Sequence, residues 1–134
     1  MASRQAYEGL AVNGPTTSEL EEARGPIASL IRKSAKARQK LAPRTWQHRM
    51  LGDNLKALHI ASALMHDMPG DVSDFGREDL QKAWGALASM IGRVEKARAG
   101  FAPGTSQHTL VRNRLKALRV AEALTVAALK GRDA

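Results

Sequence analysis

Apolar side chains recur along this chain at intervals of three and four. Leu20, Ala23, Ile27 and Leu30, continued by Ser34 and Leu41, make one stripe, and Leu51, Leu55, Leu58, Ser62 and Met65 make a second. Sixty residues further on, Leu80, Ala83, Leu87, Met90, Val94 and Phe101 repeat the first stripe, and Val111, Leu115, Leu118, Glu122 and Thr125 repeat the second. Such spacing places each set on one face of a helix. It predicts four helices, from about Ser18 to Lys40, Thr45 to His66, Gly76 to Ala99 and Thr105 to Lys130.

The recurrence extends beyond the stripes. Residues 19–66 align with 79–126 without a gap, giving 21 identities in 48 positions, and "APRTWQHRMLGDNLKAL" is echoed by "APGTSQHTLVRNRLKAL". We read this as a duplicated helical hairpin, with repeat 1 at about 17–68, a linker at 69–76 and repeat 2 at about 77–131. Pro43 and Pro103 stop the incoming helices, and Thr45 and Thr105 are N-caps for the outgoing ones. Ser18 followed by Glu21 has the pattern of a capping box ahead of the first helix. Pro26, whose counterpart is Ala86, reads as a kink within that helix rather than a boundary. Gly25 and Gly85, with the shared pairs Ala28/Ala88, Ala57/Ala117 and Ala61/Ala121, predict closely approaching helices. Neither hairpin buries its apolar face alone. The expected fold is therefore all-α, an antiparallel four-helix bundle over residues 17–134, preceded by an arm at 1–16 of loop-like composition.

Composition supports helix over strand, since alanine, leucine, lysine and arginine dominate while β-branched and aromatic residues are scarce. A chain of 134 residues fits one domain, and with no cysteine it has neither a disulfide nor a thiolate site. The first twenty residues lack a signal-peptide pattern, and no run of eighteen apolar residues occurs, so a soluble cytoplasmic protein without membrane attachment is expected.

Charge changes this picture more. The net charge is +8, and it is concentrated: seven Lys or Arg and no acid lie between Arg32 and Arg49, and seven more against the single Glu95 lie between Arg93 and Arg119. An up-down-up-down bundle brings the first and third turns to one end. There the incoming helices deliver Lys36, Arg38, Lys96 and Arg98, and the outgoing ones deliver Thr45, Gln47, His48, Thr105, Gln107 and His108. Helix N-termini add unpaired N–H groups and the positive ends of two dipoles, an environment suited to phosphate, sulfate or carboxylate. Each feature also has a purely structural explanation. Basic residues in a last turn meet the helix dipole, threonine is a good N-cap, and the rings of His48 and His108 are placed to reach back to the cap. The full set points to an anion-binding end, because first turns ordinarily carry acids, and here His48 is followed by Arg49.

On the outgoing helices, Lys56 and Lys116 are expected to face solvent, with Ile60 and Val120 on the same outer side and Leu64 and Leu124 part-way round to it. Repeated apolar residues facing outward predict a contact surface for a protein partner or a homodimer. Catalytic chemistry has little support. The chain contains no Glu-x-x-His, His59 and His66 are too far apart for an i, i+4 metal pair, and no nucleophile or carboxylate pair accompanies the basic end. No cofactor is expected. The sequence thus favours a non-enzymatic binder of polyanions such as a nucleic-acid backbone, without strong sequence specificity, since Trp46 and Trp84 are unrepeated and the aromatics too few for stacking platforms. A dimeric interaction module and a small-molecule phosphate-type receptor are the alternatives.

Overall fold

In the computed structural model, residues 14–66 and 75–133 are described, and they form helices and turns with no strand. The four helices are α1 (Thr17–Gln39), α2 (Trp46–Met65), α3 (Arg77–Ala99) and α4 (Ser106–Asp133). Most of the expected N-terminal arm and of the linker lie outside the described residues.

Each helix packs against its neighbours in the chain, α1 also packs against α4, and α2 meets α4 across the centre. Ala57, Ala61, Ala117 and Ala121 are all buried on α2 and α4, and side chains this small let two helix axes come close. Gly25 and Gly85 do not act in this way. A Cβ at either would meet nothing within 4 Å, because both stand off the buried face.

The core gathers Ile27, Leu58, Leu80, Leu87, Leu115 and Leu118, all almost completely excluded from solvent. Thr125 joins them, its hydroxyl donating to the Ala121 carbonyl at 2.8 Å so that no polar atom is stranded. Ile60 and Val120 are only 3% and 6% exposed, Leu64 is buried and Leu124 half-buried, all packed into this core. The outward-facing surface expected at these four positions is therefore corrected. A helix with three packing partners buries a broader arc than one stripe, and α2 and α4 each touch three helices.

Local signals set the helix ends. α1 begins two residues earlier than its expected cap: Thr16 accepts from the Glu19 N–H while the Glu19 carboxylate accepts from the Thr16 N–H, a capping box that leaves Ser18 and Glu21 inside the helix. Pro26 lies within an uninterrupted α1. At the other helix pole, Arg24 of α1 donates to the carbonyl of Met65, the last residue of α2, and so satisfies a group that the helix leaves open.

Candidate polyanion interface

Two turns, at residues 40–45 and 100–105, connect the helices at the basic segments. They are built from the same bonds. Lys40 and Gly100 donate to the carbonyls of Ala37 and Ala97, and Leu41 and Phe101 donate to those of Arg38 and Arg98, at 3.1–3.2 Å. Next, Arg44 (φ 75°) and Gly104 (φ 87°) take up left-handed backbone, glycine freely and arginine at a steric cost. Thr45 and Thr105 then each donate a hydroxyl to the Ala42 or Ala102 carbonyl at 2.8 Å and accept the N–H of His48 or His108 at 3.2 Å.

These bonds assign part of the expected site to capping. Both threonine hydroxyls are occupied, and the cap N–H groups donate to the carbonyls of Ala42 and Ala102. The histidine rings therefore do not close a reciprocal box with the cap, and no hydrogen bond of either ring is found among the described residues. The first two N–H groups of each outgoing helix have no intrahelical acceptor.

Arg38 is also committed. Its Nε donates to the His48 carbonyl at 3.3 Å, and its guanidinium lies flat over Gly52, where a Cβ would come within 3.0 Å of Nη2. The second repeat carries Arg112 in place of Gly52, and among the described residues Arg98 makes no corresponding bond. Lys36 and Lys96 are exposed, as are Lys33, Lys40, Arg44, Arg49 and Arg112, and none of these seven has an ion-pair partner among the described residues. Glu95, the one acid within the two basic segments 32–49 and 93–119, is taken by Arg119 at 3.1 Å.

Arg93 links the two halves of the cluster by placing Nη1 3.2 Å from Met50 Sδ, which sets the second turn of α2 beside the C-terminal part of α3. Gln47 and His48 are half-buried, as is His108, whereas Gln107 is exposed.

Among the described residues, three of the four exposed large apolar side chains also lie next to these turns: Trp46 (66% exposed) opens α2, Phe101 (39%) sits in the second turn and Leu110 (47%) is in the first turns of α4. The apolar spacing puts Phe101 on a core stripe and gives Trp46 no place on one. The missed signal is position: a residue in a turn, or at the first helical position after Pro-x-Thr, lies beyond the packed part of the bundle. Among the described residues no three His, Cys, Asp or Glu side chains converge as a metal site. No described helix is long and apolar enough to cross a membrane. No protein-family model, curated protein or solved structure matches the chain.

Proposed function

We propose that the protein is a non-enzymatic binder of nucleic-acid backbone, and that its two turn regions form one electropositive end of an antiparallel bundle made from two duplicated hairpins. The antiparallel arrangement is supported by Arg24 bonding to the end of α2 while Arg38 bonds near its start, and by the Arg93–Met50 contact. The duplication is supported by the identical hydrogen bonds at positions sixty residues apart in the two turns.

The observation that carries the functional reading is a set of seven exposed cations in the two basic segments that have no acid partner among the described residues, with Trp46 and Phe101 exposed at the turns of those segments. Cations neutralise phosphates and release counterions, which gives affinity that does not depend on sequence. Although the aromatics are few, the exposed rings of Trp46 and Phe101 each give a face on which an unpaired base can stack, so single strands are ligands to test beside duplexes. Ile60 and Val120 are core residues, so no observation favours a dimeric interaction module over this reading.

Binding of labelled single strands and duplexes of mixed sequence, measured between about 50 and 200 mM salt, tests it. Replacing Lys36, Lys40, Lys96 and Arg112 with Gln should flatten the slope of log K against log salt by up to about four units. Arg38 is left intact because it holds the His48 carbonyl. Lys130, near the opposite end of α4, is the control whose replacement should leave the slope unchanged. Absence of binding at about 50 mM salt would end this reading.

A further inference from the structure

We infer that the two turns are unequal parts of the site: the first, through Arg44, Trp46 and Arg49, grips an unpaired stretch of nucleic acid, and the second is a structural twin without that grip. The inference rests on the nucleic-acid reading above and names the form of strand that the protein prefers.

The duplication supplies its own control. Both turns close with the same backbone bonds and the same threonine caps, so whatever the fold requires of these segments is present in each copy. Where the second copy has Gly104, Ser106 and Thr109, the first has Arg44, Trp46 and Arg49. Each of these three works against the fold. Arg44 occupies left-handed backbone at φ 75°, a conformation that Gly104 enters without steric cost. Trp46 leaves an indole 66% exposed to water where the twin turn has a small polar residue. Arg49 brings a cation to the end of the first turn of α2, near the positive pole of the helix dipole, and that turn has no acid to offset it.

Nothing in the protein compensates these costs. Among the described residues, neither guanidinium and not the indole N–H makes a hydrogen bond or an ion pair. Unfavourable residues that occur in one copy only, together and exposed within 44–49, are retained for contact with something outside the chain. Phe101 does not belong with them, because its counterpart Leu41 is apolar too.

The chemistry of the three selects the ligand. Trp46 and Arg49 are three residues apart on one helix and share a face, and the Arg44 Cα lies within about 7 Å of the Trp46 Cα along the chain. A flat apolar ring thus stands between two cations. An unpaired strand offers the complement, a base face between two phosphates, and since every base has such a face no sequence preference follows. A duplex has the phosphates but keeps its base faces stacked inside. Cations serve both forms, and the indole tells them apart.

The test uses the full chain carrying Trp84→Phe, which leaves Trp46 as its sole indole, with a labelled strand of mixed sequence and its duplex compared at about 50 mM salt. The strand should quench Trp46 fluorescence and the duplex should not. Trp46→Ser, which installs the residue of the twin turn, should weaken strand binding on the order of tenfold and change duplex binding less than about twofold. Trp46→Phe keeps a ring and should retain most of the strand affinity, which separates stacking from folding. Arg44→Gly and Arg49→Thr should each flatten the salt slope for the strand by about 0.7 unit. Phe101→Leu should leave both forms bound as before. A strand that binds without quenching, or a Trp46→Ser protein that loses strand and duplex affinity equally, overturns the inference and leaves the polyanion reading standing. If neither form binds, the nucleic-acid reading falls and this inference with it.

Discussion

Lys56 Nζ lies 3.0 Å from Asp79 Oδ1, tying the middle of α2 to the first turn of α3. The hydrogen bond from Lys56, and then its charge, hold the Asp79 carboxyl below the usual carboxylate range against the opposing effect of desolvation, with smaller support from the Gly76 N–H and Lys82. The folded state therefore favours ionised Asp79. The resulting stability is present at neutral pH and is lost as pH falls from an unfolded value of about 3.9 through the lower folded one. Asp79→Asn should lower the melting temperature slightly at pH 7, and the gap between the two proteins should close in acid. A gap that persists at the lowest pH would remove the ion pair as its cause.

Threonine caps at both basic turns should be worth similar amounts. Thr45→Ala and Thr105→Ala each remove an acceptor for a first-turn N–H and should each cost about 1 kcal/mol in urea unfolding, within a range of about 0.5–2. Serine at either position should restore most of the loss. If alanine is neutral at both, these hydroxyls have a role other than capping.

The paired left-handed residues predict opposite responses. Gly104→Ala forces a β-carbon into a backbone with φ 87° and should destabilise by about 1 kcal/mol. Arg44→Gly relieves the same strain at φ 75° and should not destabilise, yet it should weaken polyanion binding by removing an exposed cation. Calorimetry and the salt titration together separate the two effects.

Burial at Ile60 separates core from surface. Ile60→Ala should cost about 2–5 kcal/mol, as for other buried aliphatic truncations, whereas Trp46→Ala should change stability by no more than about 0.5. Similar losses at the two positions would mean that Trp46 is packed rather than displayed.

Helices and turns were legible because short-range chemistry writes them. Apolar spacing marked all four helices, and Pro-x-Thr marked the start of α2 and of α4. What eluded the sequence depends on how many neighbours a helix has. A wheel drawn with one buried stripe puts Ile60 and Val120 outside, yet α2 and α4 each pack against three helices and bury a wider arc. Asn54 escaped for the complementary reason. A polar residue three positions from an apolar one looks solvated until the neighbouring helix with its small side chains is in place. The Thr/Gln/His pattern announced both turns but not that capping would occupy the threonines, nor that Arg38 would be drawn onto Gly52.

The packing of α1 against α4 has a consequence for the order of assembly. Three of the five main helix contacts among the described residues join consecutive helices, which a growing or collapsing chain reaches with short loop closures. Among the main contacts of the described helices, α1 against α4 and α2 against α4 are the ones that require distant segments to meet. α1 buries just Ala23 and Ile27, so it contributes the least to the core and joins the most remote partner in the chain. Substitutions at Ile27 should therefore act mainly on the unfolding rate, while those at Leu118 on α4 should also slow folding, which makes α1 the element that detaches first when the native state opens.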